Sequence, residues 1–210
     1  MRIGEYQYEW GCPILKNRVF LKMTWVLWVF FSMFASPIGF AQGAKQANSF
    51  DSFSVVSFTL NAHKSDFLVI HRQLLRVGQI DLWGFVDVHP SWEKNLKQVF
   101  PVEKFEWVVG SSGQNQRLML AIRKEKFTLV RQFELHQVNP EGKGRSPLVA
   151  EVKSVSSGLF FYLMVNHLQA SDQTARIQEA KAINVWASEQ PMPVVAIGNY
   201  HFNWSLLGGA

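Results

Sequence analysis

"LFFYLMVNHLQASDQTARIQEAKAINVWASEQPMPVVAIGNYHF", residues 159–202, joins an apolar run, a long mixed segment and a second short apolar run. The first run, 159–166, is rich in aromatic and aliphatic residues and predicts a strand that stops at His167. Over 171–189 the spacing of Ile177, Ala180, Ile183 and Ala187 places them on one side of a helix. Residues 194–197 predict a last strand, which runs through Gly198 into Asn199, His201 and Asn203. Polar side chains just past a buried strand commonly form a site. Here they are two amides and an imidazole, with no carboxylate among them.

Working outward, strands dominate the rest of the chain. "FSVVSFTL" (53–60) alternates and is β-branched and aromatic, so it predicts a strand. "SDFLVIHRQLLRVG" (65–78) predicts a helix with Ser65 as cap and Gly78 as stop. A mostly apolar strand follows at 80–88 with Asp87 near its end, then a short helix at 91–100. Further strands are predicted at 105–110, 117–123, 127–135 and 146–155. Many strands with few helices between them argue for packed sheets that carry helices on their outer faces.

The chain has 210 residues, 48% hydrophobic, enough for one globular domain with a real core. Its formal charge of +5 permits an anionic partner, a phosphate ester or a nucleic acid. Lys and Arg are scattered, with no run that reads as a nucleic-acid tail. At the N-terminus Lys16, Arg18 and Lys22 precede an uncharged apolar stretch, broken by Pro37 and Gly39. Residues 1–41 read as a signal peptide cleaved after Ala41, which predicts export to a periplasmic or extracellular space. An uncleaved N-terminal membrane anchor is the alternative reading of the same stretch. Residues 42–52 read as a linker and 53–210 as the domain. Cys12 is the only cysteine and precedes the cleavage point, so cysteine ligands, nucleophiles and disulfides are excluded from the domain.

Asp87, Arg117, His167 and the 198–203 turn all fall at strand ends. Taken singly, each has an ordinary structural reading as a turn former, surface charge or satisfied side chain. Taken in order, they resemble a known family. "SFTL" (57–60), "GFVDV" (84–88), "GQNQRL" (113–118), "RSPLVAEV" (145–152), "VNHL" (165–168), "ARIQEAKAINVWA" (175–187) and "GNYHFN" (198–203) have counterparts, in this order and spacing, in the endonuclease/exonuclease/phosphatase superfamily. The resemblance implies an α+β fold, a four-layer α/β/β/α two-sheet sandwich. It also implies cleavage of phosphate esters with Mg²⁺ or Mn²⁺. Asp87 would be the metal carboxylate and His167 the phosphate-binding or acid–base histidine. Asn199 and His201 would stand in the remaining catalytic positions, and Asn115, Arg117, Arg145 and Arg176 would bind phosphate or substrate.

The chain departs from the family at those same positions. Thr59 stands where the family has Asn, and Asp87 where it has Glu. Asn199 and His201 replace the Asp and Asn of a Gly-Asp-Phe-Asn turn, and Asn203 replaces a further Asp. Family members continue with more strands and a terminal Asp-His pair, whereas "SLLGGA" follows the turn here. The expectation is a fold incomplete in its second sheet, with weak or no catalysis. A non-catalytic phosphate or nucleic-acid binding module and a decayed gene product are the alternatives. Asp87, His167 and His201 also have the ligand types of a two-His, one-carboxylate site for Zn²⁺ or Mn²⁺.

Overall fold

The computed structural model describes residues 52–61, 65–139, 142 and 144–202, within the compact unit Gln46–Ala210. The signal-peptide segment, the linker up to residue 51, and Asn203 lie outside the described residues.

Eight strands form two four-stranded sheets. The first holds β1 (Val55–Thr59), β2 (Leu82–Val88), β3 (Phe105–Val109) and β4 (Arg117–Arg123), in the order β1-β2-β4-β3. The second holds β5 (Phe127–Glu134), β6 (Leu148–Ser154), β7 (Phe160–His167) and β8 (Val194–Asn199), in chain order. Each sheet has one parallel pair at its edge: β1 with β2, and β7 with β8. A parallel pair needs a crossover. Helix α1 (Phe67–Val77) makes the first and α3 (Gln173–Ser188) the second.

The layers follow from side-chain alternation. Leu82 and Val86 of β2, Leu118, Leu120 and Ile122 of β4, and Leu163 and Val165 of β7 meet between the sheets. Trp83, Phe85 and Met119 point the other way, onto Ile70 and Leu74 of α1 and Leu96 of α2 (Glu93–Val99). On the far face, Tyr162 and Met164 pack with Ile183 of α3. The result is the α/β/β/α sandwich that the sequence leads one to expect. Strand β8 forms the second sheet's edge among the described residues and is only half-buried along its length.

Several local details differ from expectation. Asp66, not Ser65, caps α1: its Oδ1 accepts from Leu68 N at 2.8 Å. The helix expected over 91–100 divides into a 3₁₀ turn, Pro90–Trp92, and α2; proline lacks the N–H for an inner helical turn. A second 3₁₀ turn, His136–Val138, follows β5. The 146–155 strand starts only at Leu148, since Pro147 cannot donate to a ladder. The last strand runs on to Asn199, paired with His167. Of the residues expected on one side of α3, Ile183 and Ala180 pack inward as expected and Trp186 joins them, whereas Ile177 is exposed.

Candidate functional site

Strand ends from both sheets converge on one cluster. Alternation along β2 would send Asp87 toward the helices, with Trp83 and Phe85. A β-bulge between Phe85 and Val88 prevents this, and Asp87 itself has φ of 60°. A bulge inserts an extra residue and re-aims the side chains around it. Val88 therefore joins the helix-side core, and Asp87 turns to the second sheet. There its Oδ1 lies 2.7 Å from Arg145 Nη2 and 3.1 Å from His167 Nδ1.

His167 needs no such device. It continues the inward series Phe161, Leu163, Val165 on β7 and is 8% exposed. Its Nε2 lies 2.6 Å from Nε2 of His201. The ring centroids are 4.7 Å apart with planes inclined by 25°, so the rings meet edge to edge rather than face to face. A hydrogen bond between them takes one nitrogen as donor and the other as acceptor. Asp87, His167 and His201 thus form a line: carboxylate, imidazole, imidazole.

His201 is placed by the turn after β8. Gly198 has φ of 130°, and a Cβ there would stand 2.0 Å from the Asn166 carbonyl oxygen, so no other residue fits. Asn199 uses its amide oxygen to accept from His201 N at 3.1 Å. This holds His201 in the left-handed region, φ 50°.

Arg145 is anchored by the loop between β3 and β4. Its Nε donates to the Gln116 carbonyl at 2.7 Å, and its Nη2 contacts Gln116 Oε1. Arg117 opens β4 opposite Val88, but its guanidinium turns to Glu93, 3.9 Å away. Arg176 donates from Nη1 to the carbonyls of Gln169 and Ala170, both at 2.9 Å, and so braces the loop before α3. Asn115 is exposed in the turn before β4. The structure therefore gathers Asp87, Arg145, His167, Asn199 and His201. It sets Arg117 and Arg176 on supporting contacts nearby.

The charges within the cluster are coupled. Burial alone would raise the Asp87 pKa, but His167, Arg145 and His201 outweigh it and hold the carboxyl below its ordinary value. Burial lowers the Arg145 pKa, and Asp87 opposes this. His201 is lowered by burial and by the positive neighbours His167, Arg176 and Arg145, against the pull of Asp87.

These residues do not fit a Mg²⁺ or Mn²⁺ site. Such ions take several oxygen ligands, chiefly carboxylates. Among the described residues no group of three or more His, Asp or Glu is arranged to hold a metal ion. The Asp87 carboxylate is already faced by a guanidinium and an imidazole. A two-His, one-carboxylate site fares no better. The two imidazoles face each other through Nε2, while Asp87 stands on the Nδ1 side of His167.

The geometry has counterparts among solved structures. D. rerio TDP2 complexed with a single-strand DNA product superimposes with a TM-score of 0.62, at 20% identity, over 75% of this chain and 65% of that one. An endonuclease/exonuclease/phosphatase family protein from Bacteroides thetaiotaomicron gives 0.57 at 16%, over 73% and 63%. The fold is that of the endonuclease/exonuclease/phosphatase superfamily. Another protein of this fold, the mannosyl-6-phosphatase Bt3783 of B. thetaiotaomicron, gives 0.54 at 16%, over 71% and 66%. The chain thus spans about two thirds of the length of these endonuclease/exonuclease/phosphatase structures. No family model and no curated protein matches the sequence.

The residues that support Arg145 escaped the sequence reading. Ser111 and Ser112, in the loop after β3, stand 22 to 23 positions from Glu134, which ends a strand of the other sheet. The one available signal was an acid ending a strand, with a polar glycine-rich loop elsewhere to receive it.

Proposed function

We propose that this chain is an exported phosphate-ester-binding protein of the endonuclease/exonuclease/phosphatase fold, with weak or no hydrolysis. The observation that carries this reading is the state of Asp87. Its carboxylate is held between Arg145 and His167. A phosphate oxygen brought to this cluster meets Arg145, His167 and His201, with Asp87 offsetting part of their charge. Asp87 faces His167 on its Nδ1 side, and the guanidinium of Arg145 brings positive charge toward an anion. Asn199 stands where the family's turn has an Asp, and its amide takes up no proton and is engaged in the turn. Loss of one general acid–base group costs on the order of 10² to 10⁴ in rate, so slow turnover is the expectation. Two neighbours support the substrate class by what their names say, one being complexed with a single-strand DNA product and the other a mannosyl-6-phosphatase.

The test uses the purified full chain. Fluorescence anisotropy with a single-stranded oligonucleotide should show binding that weakens steeply with salt and falls in Arg145→Lys. Hydrolysis of bis(4-nitrophenyl) phosphate should be slow or undetectable with Mg²⁺ or Mn²⁺ present, on the loss of about 10² to 10⁴ for a missing acid–base group. Fast turnover abolished by His167→Ala would refute the low-activity reading. Salt-insensitive or absent binding would refute the ligand class.

A further inference from the structure

We infer that Glu134 is a positioning residue for Arg145, and that it acts across the two sheets through the 110–116 loop. This rests on the proposed phosphate-ester reading for its functional consequence, though not for its structural content. Glu134 ends β5, an edge strand of the second sheet, while Ser111 and Ser112 follow β3, an edge strand of the first. Its carboxylate accepts four hydrogen bonds from that loop. Oε1 accepts from Ser111 N at 3.1 Å, Ser112 N at 3.0 Å and Ser112 Oγ at 2.7 Å. Oε2 accepts from Ser111 Oγ at 2.5 Å. Bonds to an ionised acceptor are about twice as strong as neutral ones.

The loop then reaches Arg145 by three routes. Ser112 Oγ, with its proton committed to Glu134, accepts from Ser146 N at 3.0 Å and so fixes the backbone beside Arg145. Gly113, with φ of 82°, lets the Arg145 side chain lie against it; a Cβ there would stand 2.5 Å from Arg145 Cγ. Gln116 takes Nε of Arg145 on its carbonyl at 2.7 Å and Nη2 on its amide oxygen. The guanidinium thereby lies with Nη2 2.7 Å from Asp87. Burial by itself would raise the Glu134 pKa, but the four bonds from Ser111 and Ser112 lower it, so the acid is ionised at neutral pH.

The sign of the functional effect separates positioning from charge. Removing a negative group near a basic cleft should strengthen anion binding by electrostatics alone. Positioning predicts the reverse. The first readout needs no ligand: proton exchange at Arg145 Nε–H, followed by ¹⁵N NMR on the full chain. In Glu134→Ala this exchange should be at least about tenfold faster, the loss of roughly 1.4 kcal/mol of protection. In Glu106→Gln, a half-buried acid paired with Lys124 at 3.2 Å, it should not change. Ser112→Ala, which keeps Glu134 but removes the hydroxyl, should also speed exchange and carries the test if Glu134→Ala does not fold. The second readout is oligonucleotide affinity, expected to fall about tenfold in Glu134→Ala and less in Glu134→Gln. Unchanged exchange in the folded variants overturns the inference, as does affinity equal to or above wild type. If the wild-type chain binds no oligonucleotide, the proposed ligand class fails, and the exchange rates alone decide the role of Glu134.

Discussion

Asn199 illustrates how one side chain can serve the turn and deny the chemistry. Its amide oxygen accepts from His201 N, a task a carboxylate oxygen performs equally well. Asn199→Asp should therefore fold as the wild type does and add an acid beside His167, its register partner. A second carboxylate moves the donor set toward what a hard cation takes. Mn²⁺ affinity, read from the free-ion EPR signal, should rise about tenfold or more over wild type, as expected for one added charged ligand. Equal affinity would show that Arg145 and the imidazoles still repel the ion. Gly198 is the stricter position. Gly198→Ala would put Cβ 2.0 Å from a backbone oxygen that cannot move aside within β7. The expected loss exceeds about 4 kcal/mol, in the range reserved for core clashes and forbidden backbone angles, measurable as absent folded protein or a collapsed thermal transition.

At the level of elements, ordinary rules account for most of what forms. Asp66 caps α1 with a hydrogen bond from Leu68 N, so Asp66→Ala should cost about 1 kcal/mol in urea unfolding. Asp81, just before β2, ties together three segments. It accepts from Ser54 N at 2.9 Å and Ser54 Oγ at 3.0 Å, and pairs with Arg123 at 3.2 Å and Lys126 at 3.0 Å. Burial raises its pKa, but Ser54 and Lys126 prevail and lower it. Its folded value then lies below its unfolded value of about 3.9. Between the two, the unfolded chain binds more protons, so stability rises with pH there. The contribution is complete above the unfolded value and is lost as pH falls through the folded one. Asp81→Asn should flatten the acid limb of a stability–pH curve in that window while lowering stability at pH 7 by about 1.5 to 3 kcal/mol, the range for hydrogen bonds to charged groups. An unchanged acid limb would assign acid unfolding to other carboxylates. Strands and helices were legible because alternation and helical spacing are local properties. The inward aim of His167 could be read from the same alternation. The aim of Asp87 could not, because "GFVDV" carries no mark of the bulge that reverses it. For Arg176 the sequence likewise does not show the carbonyls of Gln169 and Ala170 that its Nη1 binds.

At the scale of the whole molecule, the site exists only where the sheets meet. Asp87 comes from the first sheet and His167 from the second, while Arg145 and His201 lie in the segments that precede β6 and follow β8. Their spacing therefore depends on the separation of the sheets, set by the core between them. Gly84 marks a close approach, three residues before Asp87 on the same strand. A Cβ there would lie 2.6 Å from Ile197 Cδ1 and 3.2 Å from Val165 Cγ2. Gly84→Ala can be absorbed by a shift of the Ile197 side chain. Gly84→Val cannot, and overpacking of this kind costs about 1 to 3 kcal/mol. The strain should also push β2 from β7 and β8, moving Asp87 away from His167. Gly84→Val should thus lower the melting temperature and weaken oligonucleotide binding together. Asp66→Ala acts on the outer face of the first sheet, so it should lower stability and leave binding intact. Thermal melts and anisotropy on the two variants, at a temperature where both are folded, make the comparison. An equal loss of affinity in both would mean that binding tracks global stability. A loss confined to Gly84→Val would mean that the packing of the two sheets sets the geometry of the site.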